Sequence, residues 1–72
     1  MTTQTSIAVV ANGKEFTLSA GTRLPEFISK LGFEAGLVVV ERNREALTPS
    51  EAGQTVLEHG DRLEIVQITA GG

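Results

Sequence analysis

The apolar positions of this chain change period several times, and each change marks an element. Ile7-Ala8-Val9-Val10-Ala11 is a short apolar, β-branched run suited to a strand. Asn12-Gly13 follows at once; these two residues best tolerate the positive φ that both central positions of a type I′ turn require, so a hairpin is predicted. The return strand runs through Glu15-Phe16-Thr17-Leu18, where alternation puts Phe16 and Leu18 on one face and Glu15 and Thr17 on the other. Ser19-Ala20-Gly21 ends it. The period then lengthens: Leu24, Phe27, Ile28 and Leu31 fall at i, i+3, i+4 and i+7, one apolar stripe of a helix. Thr22 stands where a cap belongs, Pro25 lies in the opening turn, Glu26 sits near the positive end of the dipole, and Gly32 stops the helix as a C′ residue. A helix this short does not persist alone and must pack its stripe on a sheet.

Leu37-Val38-Val39-Val40 is apolar without alternation, which predicts a strand buried on both faces and central in its sheet. Glu41-Arg42-Asn43-Arg44-Glu45 reads as a polar turn, Ala46-Leu47 as a brief strand, and residues 48–53 as an irregular crossing with room for a helical turn. Glu58-His59-Gly60-Asp61 is another tight turn. The last strand, Arg62 to Ile68, leads straight into Ala70-Gly71-Gly72. Hairpin, helix, strand, short strand and last strand together predict an α+β fold of the β-grasp type: a mixed sheet of about four to five strands with one main helix packed on one face. Residues 1–6 are expected to be a flexible leader, 7–68 the β-grasp domain, and 69–72 a flexible diglycine tail.

A chain of 72 residues has room for one small core. It has no cysteine, so no disulfide framework, thiolate metal site or catalytic thiol supports or serves that core. The formal charge of −3 is dispersed, there is no Trp or Tyr, and only three Phe are present, which argues against nucleic acid as a partner. No apolar run has the roughly 20 residues of a membrane helix, and residues 1–6 lack the features of a signal peptide, so no membrane partner and a cytoplasmic location are expected.

The side chains offer little chemistry. His59 is the only histidine and lies in a turn, with no second histidine or cysteine to share a metal, so it reads as a turn residue in water. Ser19, Ser29 and Ser50 have no evident base, and the glycines are spread over turns rather than gathered around a phosphate. No catalytic residue and no metal site are expected. The diglycine end is the remaining candidate. Gly71 and Gly72 have no Cβ and so suit a cleft too narrow for side chains, and residues 69–72 reach at most about 13 Å. A C-terminal carboxylate is ionised at neutral pH and is a poor electrophile until something activates it, for example by forming an acyl adenylate with ATP. A frayed chain end accounts for the two glycines as well as a carrier does.

The last strand adds a second clue. With Leu63 and Ile65 toward the helix, alternation turns Glu64, Val66 and Ile68 to the other face. Val66 and Ile68 beside Ala8 or Val10 of a neighbouring strand would form an apolar docking patch; the other reading is a sheet face with scattered apolar residues.

Asn12-Gly13, the run Val40-Glu41-Arg42-Asn43, the segment from Leu57 through Gly60-Asp61-Arg62-Leu63-Glu64-Ile65-Val66, and the Ala70-Gly71-Gly72 end together resemble ThiS, the ubiquitin-like sulfur carrier family of thiamine biosynthesis. The resemblance spans nearly all of residues 7–72. It implies a non-enzymatic carrier whose Gly72 is adenylated by a ThiF-like enzyme that uses ATP and is then converted to a thiocarboxylate with sulfur from a donor system. The sulfur would go to a ThiG-like thiazole synthase. It also implies that Ala70, Gly71 and Gly72 enter partner active sites and that the chain itself binds no cofactor. The choice of Glu64, Val66 and Ile68 as the docking face comes from strand alternation, not from the family. Residues 48–53 depart from the family pattern, which often has an aromatic near Ala52, and the polar leader looks like an extension. Related carriers serve molybdopterin, cysteine or specialised sulfur metabolism, and a ubiquitin-like protein modifier would use the same terminus.

Overall fold

The computed structural model describes residues 5–68. Strand β1 (Ser6–Ala11) turns through Asn12 (φ 51°) and Gly13 (φ 81°) into β2 (Lys14–Ser19), the two-residue hairpin that Asn-Gly predicts. Ala11 pairs with Lys14 at the turn and Ser6 with Ser19 at the far end. Helix α1 (Leu24–Lys30) follows and buries Leu24, Phe27 and Ile28. Its end is a Schellman motif: Gly32 takes φ 90°, its N–H donates to Ser29 O at 3.0 Å, and Phe33 N–H donates to Ile28 O at 3.1 Å. Its start departs from expectation. Arg23 occupies the cap position, and the Glu26 carboxylate accepts from the Arg23 N–H at 3.1 Å. The Thr22 hydroxyl donates backward to Ser19 O at 2.6 Å and so closes the preceding turn.

A 3₁₀ turn (Ala35–Leu37) leads into β3 (Val38–Arg42), which pairs with the short β4 (Glu45–Ala46). The crossing that follows is more regular than its composition suggested. Helix α2 (Pro49–Gln54) has a full capping box, with Glu51 N–H donating to Thr48 Oγ1 at 3.1 Å and Thr48 N–H to Glu51 Oε1 at 2.8 Å. Strand β5 (Arg62–Gln67) completes a five-stranded sheet in the order β2-β1-β5-β3-β4. β5 lies parallel to β1 and antiparallel to β3, which makes the sheet mixed. This is the β-grasp arrangement, with α1 across one face.

The core lies between α1 and that face. Val9, Leu63 and Val40 come from three neighbouring strands and meet Leu24, Phe27 and Ile28 of the helix. Phe16 packs edge-on to Phe27 with ring centroids 5.2 Å apart, and Lys14 Nζ stands 5.7 Å from the Phe16 centroid. Leu57 is buried as well, its N–H donating to Thr22 O at 2.9 Å while Leu24 N–H donates to Thr55 O at 2.9 Å, which ties α1 to the segment after α2.

The placing of β3 corrects the sequence reading. The central strand is β5; β3 lies one position out, and Leu37 belongs to the 3₁₀ turn. Val40 is buried but Val39 is 47% exposed. One helix covers one face of the sheet only, so an unbroken valine run leaves half its side chains on the open side.

Candidate functional site

Strand β5 carries the candidate docking residues Glu64 and Val66. Its alternation places Leu63 and Ile65 in the core and leaves Glu64 and Val66 on the open face. Val66 is 61% exposed, and the residue opposite it is Val39 of β3. The apolar neighbour is therefore Val39, not Ala8 or Val10, because β1 pairs with β5 only at Arg62 and Leu63. One step along, Glu41 stands opposite Glu64. Like charges in that position repel, and Arg44 and Arg62 beside them line the same shallow recess of about 270 Å³.

Ile68 lies one residue past β5. Its N–H donates to Leu37 O at 2.6 Å, which ties the root of the tail to the 3₁₀ turn. It is 49% exposed and borders an apolar groove of about 390 Å³ that Ile28, Val38, Leu47, Pro49 and Ala52 also line. Val66 thus stands on the open face while Ile68 also reaches a groove on the helix side. Ala70, Gly71 and Gly72 lie outside the described residues.

His59 is exposed, yet it is more than a turn residue in water. Its Nδ1 accepts from Ala8 N–H at 3.0 Å, and Gly60 N–H donates to Ala8 O at 2.8 Å, so the turn before β5 is clipped to the middle of β1. Among the described residues, no group of three or more His, Asp or Glu side chains is placed to hold a metal ion, and no helix is long and apolar enough to cross a membrane.

The cluster that sequence reasoning missed is built on Asp61, which is only 4% exposed. Its Oδ2 accepts from Glu58 N–H at 2.9 Å and from Arg42 Nε at 3.0 Å, and its Oδ1 accepts from Asn43 Nδ2 at 3.2 Å. Arg62 N–H donates to Asn43 Oδ1 at 2.9 Å. The Glu-Arg-Asn run and the Gly-Asp turn, two motifs 19 residues apart at Arg42 and Asp61, are therefore one hydrogen-bonded unit that sets the start of β5. Every Asp61 bond satisfies a buried acceptor, so the cluster holds the start of β5 in place. The motifs themselves were the signal, but pattern alone does not say that they touch.

Residues 4–72 match the sequence profile of the ThiS family. The chain belongs to the ThiS family. The thiamine biosynthesis protein ThiS from Geobacter metallireducens has a similar crystal structure, with a TM-score of 0.74 and 29% identity over 92% of this chain and 100% of that one. Among curated proteins, the chain is 38% identical over 64 residues to a thiazole synthase of Paramagnetospirillum magneticum and 36% identical over 61 residues to one of Magnetococcus marinus. Those matches cover 89% and 85% of this chain but 20% and 19% of the synthases, so it spans about a fifth of their length. A ThiS-like segment thus forms part of each of those synthase chains.

Proposed function

We propose that this ThiS-family chain is a sulfur carrier for thiamine thiazole synthesis, with Gly72 as the residue that carries the sulfur. The observation that supports it best is the ThiS-family match over residues 4–72, and the two thiazole synthases that contain a similar segment favour the thiamine pathway over related sulfur pathways. In this reading, a ThiF-like partner joins the Gly72 carboxylate to the AMP portion of ATP and releases pyrophosphate. Hydrosulfide released by a donor system then attacks the carbonyl carbon, the bond to AMP breaks and AMP leaves, and loss of the remaining S–H proton to water gives the thiocarboxylate. A ThiG-like thiazole synthase receives that sulfur. The chain contributes no acid, base or nucleophile to these steps; its part is to present a carbonyl without side chains around it, which is why Ala70, Gly71 and Gly72 are assigned to the partner's cleft.

The test is intact mass after incubation with the cognate activating enzyme, ATP and a sulfur source. The expected product shows the oxygen-to-sulfur mass increase, located on Gly72 by fragmentation. Unchanged mass under conditions where the enzyme consumes ATP overturns the reading. Deletion of Gly72 is expected to abolish the mass increase and leave the thermal unfolding midpoint unchanged.

A further inference from the structure

Among the described residues, strand β5 is central at its beginning and an edge at its end. Arg62 O accepts from Asn43 N–H at 2.8 Å and Ile68 N–H donates to Leu37 O at 2.6 Å, so the even-numbered residues turn their backbone groups toward β3. Asp61 O and Leu63 O accept from Val10 and Asn12 N–H, each at 2.9 Å, so the odd-numbered residues face β1. But β1 ends at Ala11 and the chain turns away through Asn12-Gly13. For one rung the Asn12 carboxamide stands in for a strand: its Oδ1 accepts from Ile65 N–H at 2.8 Å and its Nδ2 donates to Ile65 O at 3.0 Å. Gln67 is the next odd-numbered residue, and its N–H and C=O face the side that β1 has left. Natural sheets blunt such an edge with a charge, a proline or a bulge. Residues 65–68, Ile-Val-Gln-Ile, supply neither charge nor proline.

We infer that this rung is a docking edge, where an extended segment of the thiazole synthase adds to β5 at Gln67 through main-chain hydrogen bonds. The inference rests on the proposed carrier function, because it takes the partner to be the enzyme that receives the tail. Residues 69–72 span at most about 13 Å beyond Ile68, so an enzyme that reaches Gly72 sits against the root of the tail, where the open rung lies. Main-chain pairing also explains why that root needs no charge: the backbone supplies affinity, while Val66 and Ile68, both exposed, supply contact on either side.

The discriminating variant is Gln67→Pro. Proline deletes the N–H that faces the open side and leaves the bonds of Val66 and Ile68 to β3 in place, a position in which a strand tolerates it. Binding of the full chain to its cognate thiazole synthase, measured by calorimetry, is expected to weaken about tenfold or more, the effect of leaving a partner carbonyl unpaired. Gln67→Ala, which keeps the N–H, is expected to bind within about twofold of the wild type. Equal binding by Gln67→Pro and wild type overturns the inference. Where circular dichroism shows that Gln67→Pro has not folded, amide exchange on the wild type decides: slowed exchange at Gln67 in the complex supports the edge, and unchanged exchange overturns it. A wild type that gains sulfur on Gly72 while Gln67→Pro binds normally refutes the edge alone; a wild type that neither gains sulfur nor binds the synthase refutes the carrier reading beneath it.

Discussion

Two hairpins in this molecule turn through two residues each, and they differ at the second. Asn12-Gly13 joins β1 to β2 with φ values of 51° and 81°, and Asn43-Arg44 joins β3 to β4 with 51° and 71°. In both, the asparagine carboxamide crosses to β5: Asn12 bonds Ile65, and Asn43 bonds Arg62 and Asp61. The second position separates them. Glycine takes positive φ without steric penalty, whereas an L-residue there costs about 1–2 kcal/mol. The first turn is therefore encoded by its own two residues. The second is held by what surrounds it, chiefly the buried Asp61 carboxylate gripping Arg42 on one side and Asn43 on the other. A turn supported in this way bears a strained residue that an isolated hairpin would reject.

The largest effect is expected at that support. Asp61→Ala removes three hydrogen bonds and leaves the half-buried Arg42 without its buried partner, a loss of about 3 kcal/mol, or more than about 10 °C in midpoint for a domain of this size. Thermal unfolding by circular dichroism measures it, and amide exchange is expected to quicken in β3–β4 before β1–β2. A loss below about 1 kcal/mol would show that the second turn does not depend on the cluster.

Next come the two carboxamides, tested by Asn12→Gly and Asn43→Gly, since glycine accepts the positive φ of the turn and deletes the carboxamide bonds, to Ile65 in the first and to Arg62 and Asp61 in the second. Each is expected to cost about 1–2 kcal/mol in urea unfolding. A negligible loss at either site would mean that the backbone ladder alone holds that end of β5.

The second turn positions sharpen the contrast because their substitutions carry opposite signs. Gly13→Ala is expected to destabilise by about 1 kcal/mol, while Arg44→Gly is expected to stabilise by up to about 1 kcal/mol, reduced by the greater freedom of glycine in the unfolded chain. Destabilisation by Arg44→Gly would reveal a contact of the Arg44 side chain worth more than its backbone strain. The smallest change in stability is expected for Val66→Asp. At 61% exposure the fold should move by no more than about 0.5 kcal/mol. Under the proposed function, association with a ThiF-like activating enzyme should weaken far more, because the aspartate would place a charge in the proposed apolar contact. Unaltered affinity would remove Val66 from the proposed docking face.

The same contrast explains what was legible beforehand. Asn12-Gly13 announces its hairpin, while Asn43-Arg44 hid inside a polar stretch that read only as a turn between Glu41 and Glu45. Helix α1 was legible from its stripe and Gly32, but its capping was not: Thr22 has the right side chain and spends it on Ser19 O, since the chain enters the helix one residue later. Thr48 and Glu51 carry a capping signature of α2 that the surrounding Pro, Ser and Gly obscured. Of the candidate site, the exposure of Glu64 and Val66 followed from alternation, but Val39 as the neighbour of Val66 did not, because period two says which face a residue takes and nothing about the next strand.

By itself the sequence determined what depends on residues a few positions apart: a positive-φ turn at Asn12-Gly13, an apolar helical stripe from Leu24 to Leu31, a stop at Gly32, and the two-sided character of β5. The tertiary structure alone decided that β5 is central, that β3 exposes Val39, that Asp61 is buried beneath Arg42, and that the end of β5 outruns β1 so that a side chain must serve as its neighbour. Those outcomes depend on which strands meet and on how far one short helix reaches across a five-stranded sheet, and both are set by packing between distant segments rather than by the preferences of any one of them.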